Sequence, residues 1–195
     1  NRKVEENGNG FTMGALYWQL NDIWPTVSWA SVEYGGKWKM LHYYVRNMFD
    51  NLLVDVWQED GLLRVAIIRD DHLNVSISFS VNVDVFGWSS TKPLLQRNFK
   101  SSSQPFAVTH VYRQDMAHLL KEAKCSDVNH CFVTVAIEGE FQGEHLYRKN
   151  FLLMGKIKDA IGLSKTQIRV SEIKGPILDH HGVSTFQIDL QSDQV

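Results

Sequence analysis

One long stretch of this chain alternates without a break. Leu73, Val75, Ile77, Phe79, Val81, Val83 and Val85 hold one set of positions, and Asn74, Ser76, Ser78, Ser80, Asn82 and Asp84 hold the other. Successive side chains of a strand point to opposite faces. The pattern therefore predicts a long antiparallel strand with one packed face and one wet face. Other period-two runs surround it. Leu53 to Trp57 leads through Glu59-Asp60-Gly61, a hairpin-type turn, into Leu62 to Ile68, and Asp70-Asp71 marks a further turn. Phe106–Val111, Phe132–Ile137 and Tyr147–Leu153 read as strands, and Gln114–Lys124 as a short helix. Several short strands at this spacing predict a β-sandwich. A last β-rich stretch, Ile168-Arg169-Val170 and then Thr185 to Leu190, has too few strands to close a sheet of its own before Val195.

The first fifty residues follow a different rule. Four of the six Trp lie there: Trp18, Trp24, Trp29 and Trp38. Asn7-Gly8-Asn9-Gly10 is a turn or flexible lead-in. Thr12 to Leu20 is nearly continuous in apolar residues, which predicts a parallel strand buried on both faces. Asn21 to Gly36 reads as loop. Lys37 to Phe49 reads as a helix, with Trp38, Leu41, Val45 and Met48 on one stripe. Strand, loop and helix make one β/α unit, which cannot bury both faces of its strand alone and needs a larger α/β body.

Composition narrows the function classes. A chain of 195 residues has room for one or two domains. A net charge of -2 gives no reason to expect nucleic acid or an anionic membrane as partner. No stretch approaches the roughly 20 apolar residues that span a bilayer. The N-terminus, Asn1-Arg2-Lys3-Val4-Glu5-Glu6, has neither an initiating Met nor an apolar signal core, so the chain reads as a piece of something longer. Cys125 and Cys131 stand close enough to close a small loop, with a disulfide and two free thiols equally open. Asn74-Val75-Ser76 is the one glycosylation sequon, on the wet side of the alternating run. Together these two features tilt the reading towards an oxidising secretory route.

The chemistry-bearing groups are few. Trp18 stands where the apolar run ends, and a Trp at that end of a barrel strand offers a flat apolar face to a pyranose ring. Asn21 and Asp22 behind it can bind sugar hydroxyls or brace the next loop. The plainer alternative is a core Trp with a polar loop cap. Trp24-Pro25 and Ser28-Trp29 read as packing under a long loop, and Glu33 as a loop bracket. Asp179, His180 and His181 resemble a metal motif only superficially, because adjacent side chains diverge and no third ligand has suitable spacing. His118, His130 and His145 read as surface. There is no Gly-x-Ser-x-Gly elbow and no phosphate loop. No metal or other cofactor is expected.

The run Gly14-Ala15-Leu16-Tyr17-Trp18-Gln19-Leu20-Asn21-Asp22-Ile23-Trp24-Pro25 continues through Ser28-Trp29-Ala30-Ser31 and Glu33-Tyr34-Gly35-Gly36-Lys37-Trp38-Lys39-Met40-Leu41-His42-Tyr43. This block closely resembles the β-mannosidases of glycoside hydrolase family 2, the animal lysosomal type above all. Trp88-Ser89-Ser90, the Cys125/Cys131 pair and Lys158-Asp159-Ala160-Ile161-Gly162-Leu163 extend the resemblance more weakly. The fold it implies is α+β and mostly β. Residues 1–50 would be the last β/α unit of a TIM (β/α)8 barrel, 51–163 an immunoglobulin-like β-sandwich, and 164–195 the start of a truncated second sandwich.

The implied activity is removal of terminal β-linked mannose from the non-reducing end of oligosaccharides, with retention. Retention needs two carboxyl groups about 5–5.5 Å apart. The family carries them as glutamates in Asn-Glu and Ser-Glu contexts on earlier barrel strands. This chain has no Asn-Glu, and its only Ser-Glu, Ser171-Glu172, lies in the sandwich region. No catalytic residue is therefore expected here, and the isolated chain is expected to be inactive. Trp18, Asn21 and Asp22 are the expected substrate-binding residues, with a β-mannoside oligosaccharide as partner and the preceding part of the same protein as packing surface. The resemblance implies a lysosomal location. The competing reading is a non-catalytic carbohydrate-binding or structural sandwich, for which Trp57 and Trp88 are the candidate exposed aromatics.

Overall fold

The computed structural model describes residues 14–163, 168–178 and 184–192. The chain is mostly β. Helix α1 (Met40–Met48) precedes β1 (Leu52–Glu59), β2 (Leu62–Arg69), β3 (Ile77–Gly87), β4 (Pro93–Ser103) and β5 (Val108–Asp115). Helix α2 (Met116–Glu122) leads to β6 (Cys131–Phe141) and β7 (Glu144–Leu153); after a short 3-10 turn come β8 (Ile168–Leu178) and β9 (Ser184–Ser192).

Two antiparallel sheets, ordered β1-β2-β5 and β4-β3-β6-β7, share one core. The alternation in β3 decides that arrangement. Ile77, Phe79, Val81, Val83 and Val85 are buried and meet Val133, Val135 and Ile137 of β6 and Leu63, Val65 and Ile67 of β2. Each such side chain contributes about 1.5–3 kcal/mol on leaving water. Two hairpins set the register. Asp60 and Gly61 have φ of 52° and 74°, and Gln142 and Gly143 have 51° and 82°. Positive φ at both central residues twists a two-residue loop in the sense of the strands it joins. The first hairpin is legible as Asp-Gly; the second escapes a reading by composition because Gln is an unusual first residue there.

Three departures from the sequence expectation have physical causes. The strand expected to begin at Leu73 begins at Ile77, and Leu73 and Val75 are exposed. Local hydrogen bonds divert the backbone: Asp71 Oδ1 accepts from Leu73 N at 3.0 Å, and the Val75 carbonyl accepts from Arg69 at 2.9 Å. Asn74 thus lies in an exposed loop rather than on a strand face. Strand β4 is absent from the sequence reading. It opens on Pro93 at a sheet edge, where a missing N–H is tolerated, and Leu95 and Phe99 are the side chains through which it touches the core. Thirdly, residues 14–20 form no named strand, and Leu16, Trp18 and Leu20 are exposed. A strand buried on two faces needs layers on both sides, and among the described residues none supplies them. The helix expected from Lys37 begins at Met40, and its apolar stripe is uncovered for the same reason: Val45 is buried, whereas Leu41 and Met48, and Trp38 just before the helix, stay about half exposed.

The Cys125 and Cys131 sulfurs are bonded, 2.00 Å apart. Their loop grips the chain on both sides. Trp88 N donates to the His130 carbonyl at 3.1 Å, and Ile161 N donates to the Asn129 carbonyl at 2.8 Å. The hairpin β8–β9 forms its own two-stranded sheet. Asp179, His180 and His181 lie outside the described residues. Among the described residues no three His, Cys, Asp or Glu side chains are placed to hold a metal ion, and no helix is long and apolar enough to cross a membrane.

Candidate functional site

Residues 14–39 fold into irregular backbone held by two polar knots. The first is built on Asp22, a buried carboxylate. Oδ1 accepts from the Ser28 hydroxyl, and Oδ2 accepts from Lys39 Nζ at 2.7 Å. The Ser28 oxygen also receives Ala30 N at 2.9 Å, and Asp22 N donates to the Val32 carbonyl at 2.9 Å. A buried charge is stable only when paired and hydrogen-bonded, and Asp22 is both. The Lys39 bond foremost, then the Ser28 bond, hold its carboxyl below the usual aspartate range, with burial opposing them. The sign follows from linkage. A lowered folded-state pKa gives a contribution that is full above the unfolded value of about 3.9 and lost as pH falls through the folded value. The bracket therefore persists through mildly acidic conditions. Asp22→Asn is expected to abolish amide protection at Ala30 and Val32 across pH 5–7, read by hydrogen exchange; unchanged protection would show that the carboxylate is not what holds this loop.

The second knot is built on Ser31, which is fully buried. Its hydroxyl donates to the Leu20 carbonyl at 3.1 Å and lies 3.0 Å from Tyr17 Oη and 2.9 Å from His42 Nδ1. Its backbone N donates to the Gln19 and Leu20 carbonyls, both at 3.1 Å, and its carbonyl accepts from Lys39 N at 2.9 Å. Asn21 and Val32 form a parallel bridge, and Val32 and Trp38 an antiparallel one.

These knots place the expected site residues differently from one another. Trp18 presents its indole with 73% of its surface open, beside a cis Trp18–Gln19 peptide bond. Asn21 is exposed, and its Nδ2 donates to the Asp22 carbonyl at 3.2 Å. Asp22 is turned inward, with both oxygens engaged by Ser28 and Lys39. Trp24 and Trp29 are exposed rather than packed under the loop. Glu33 reaches Lys37 at 3.9 Å. Trp57 lies edge-on to His110 and donates to Glu59 at 3.2 Å, while Trp88 is tilted against Phe132 with ring centres 4.6 Å apart. Glu172 pairs with Lys174 at 3.1 Å on β8. The sequence marks no site role for Ser28, Ser31 or Lys39. Their importance lies in contacts across a loop, which no local periodicity announces.

Known proteins resemble this chain over most of its length. It is 38% identical to the β-mannosidase of Rattus norvegicus over 168 residues, 85% of this chain and 18% of that protein. It is 36% identical to the β-mannosidase of Bos taurus over 194 residues, 97% of this chain and 20% of that protein. The crystal structure of a β-D-mannosidase from Dictyoglomus thermophilum superimposes with a TM-score of 0.64 over 91% of this chain and 20% of that one, at 17% identity, which speaks for the fold. No family model matches. The chain thus spans no more than a fifth of the length of these relatives. Over nearly its whole length the chain is thus similar in sequence to a stretch of the animal β-mannosidases, and it shares the fold of a β-D-mannosidase.

Proposed function

We propose that these residues are part of a retaining exo-β-mannosidase that removes terminal, non-reducing β-D-mannose from oligosaccharides of glycoproteins. In this reading residues 14–50 are the last β/α unit of a TIM (β/α)8 barrel. The sheets over 51–163 are an immunoglobulin-like sandwich, and the β8–β9 hairpin begins a further sandwich. The nucleophile and the acid/base are glutamates in the part of the parent polypeptide outside these 195 residues. Trp18 is the platform for the mannose ring, Asn21 stands beside it, and Asp22 holds the loop behind it. The exposed apolar side chains of residues 14–49, Leu16, Leu41 and Met48 among them, are the surface that packs on the rest of the barrel. A glycan on the open Asn74 loop and the Cys125–Cys131 bond fit a secretory route ending in the lysosome.

The observation that carries this reading is an exposed indole, Trp18, on backbone locked by two polar knots. A sugar ring covering about 60 Å² of indole at about 25 cal/mol/Å² gains about 1.5 kcal/mol, near tenfold in affinity. In the full-length protein, Trp18→Ala is expected to lower kcat/KM on an aryl β-mannoside about tenfold, while the 195-residue chain alone turns over none. Full activity in the Trp18→Ala protein would remove Trp18 from the site.

The non-catalytic sandwich reading gains little by comparison. Trp57 and Trp88, its candidate aromatics, are each half-buried and packed against neighbouring rings.

A further inference from the structure

We infer that Ser31 is the residue that positions Trp18, and that it does so by clasping the chain on both sides of the indole and tying it to helix α1. The inference rests on the reading of Trp18 as a sugar platform.

The hydrogen count carries the argument. A serine hydroxyl has one donor and two acceptor sites. A carbonyl cannot donate, so the Ser31 proton goes to the Leu20 oxygen, 3.1 Å away. Tyr17 Oη and His42 Nδ1, at 3.0 and 2.9 Å, must then be the donors, which puts a hydrogen on Nδ1 of His42. All three capacities are used. Tyr17 is the residue before Trp18, and Leu20 follows two residues after it. Between them, the Gln19 carbonyl also receives the Ser31 backbone N–H at 3.1 Å. One side chain with its own amide therefore holds Tyr17, Gln19 and Leu20, the immediate frame of an indole that is otherwise open.

The far end of the clasp is anchored. His42 lies in the first turn of α1, its ring packed edge-on to Trp38 with centres 4.5 Å apart. The Ser31 carbonyl is bound by Lys39 N, and the Lys39 side chain reaches Asp22. Ser31 is fully buried, so water cannot replace it when it is lost. An apolar residue there leaves a phenol and an imidazole short of a partner, while the Leu20 carbonyl keeps the Ser31 and Val32 amides. Ser31 touches no substrate in this scheme. It acts through Trp18, and its loss matters only where Trp18 matters.

A double-mutant cycle in the full-length protein reads that dependence. Ser31→Ala, Trp18→Ala and the double variant are assayed for kcat/KM on an aryl β-mannoside. Tyr17→Phe serves as a milder probe that removes one hydroxyl and leaves no cavity. Ser31→Ala is expected to lower kcat/KM roughly five- to tenfold, as fits the loss of one or two net hydrogen bonds, and Tyr17→Phe to lower it less. Neither change is expected to add to the loss caused by Trp18→Ala. If Ser31→Ala or Tyr17→Phe lowers activity by the same factor with and without Trp18, the clasp acts on something else and the inference is overturned. It is overturned equally if Trp18→Ala costs activity and both other variants are silent. If Trp18→Ala itself is silent, the platform reading fails, and this inference with it.

Discussion

Replacing Arg69 by methionine lowers the stability of the two-sheet module by about 3 kcal/mol, the cost expected when one partner is removed from a buried charged network. The Arg69 side chain is fully buried at the end of β2. Its guanidinium makes a two-point contact with Asp71, Nε and Nη2 each at 2.8 Å, and Nη1 donates to the Val75 carbonyl at 2.9 Å and the Ser103 carbonyl at 2.7 Å. It thus ties the loop after β2 to the end of β4 in the facing sheet. A planar fork suits this set of acceptors and an ammonium does not, so Arg69→Lys is expected to recover only part of the loss. The Arg69 bonds foremost, with the Leu73 amide assisting and burial opposing, hold the Asp71 carboxyl below its usual value. The Asp71 contribution is therefore complete above about pH 4, the unfolded value, and fades as pH falls through the folded value. Arg69→Met is expected to flatten that acid limb as well as lower the plateau. Urea titrations at pH 7 and pH 3 measure both; a plateau change below 1 kcal/mol would mean that the loop and the β4 end are held by other contacts.

Phe79→Ala costs about 3–5 kcal/mol, the range for removing a buried aromatic ring. Phe79 is buried in β3 directly opposite Gly139 of β6. A Cβ on Gly139 would stand 2.7 Å from the Ser78 carbonyl oxygen and 2.8 Å from Phe79 Cδ1, so the ring occupies space that glycine alone leaves open. Gly139→Ala should therefore destabilise on its own. It should do so less in the Phe79→Ala background, where the ring contact is gone and the carbonyl contact remains. The coupling is the discriminating quantity. Strict additivity would show that ring and glycine do not share this space.

The two-sheet module was largely legible because its forces are local and periodic. The alternation from Ile77 to Val85 names its own buried face, and Asp60-Gly61 names its own turn. What escaped was set by contacts between distant residues. The guanidinium of Arg69 folds Asp71 to Val75 into a loop despite their alternation. Strand β4 is too polar to signal itself, and β3 recruits it through backbone pairing from Ile77–Ser103 to Phe86–Pro93. Near the N-terminus the reverse happened. The apolar run before Asn21 reads as a buried strand, yet the residues that would cover it are not among those described.

By itself, the sequence determined the resemblance to β-mannosidases, the β-rich character, the buried face of β3 and the candidacy of Trp18. Those follow from residue type and spacing, which survive in any conformation of the chain. Only the tertiary structure decided that Asp22 faces inward onto Ser28 and Lys39, that Trp24 and Trp29 stand open, and that Ser31 bonds to residues on both sides of Trp18. Side-chain direction and hydrogen-bond partnership depend on where a loop returns to itself, here Ser28 to Lys39 closing on Tyr17 to Asp22, and no property of those residues one at a time fixes that closure.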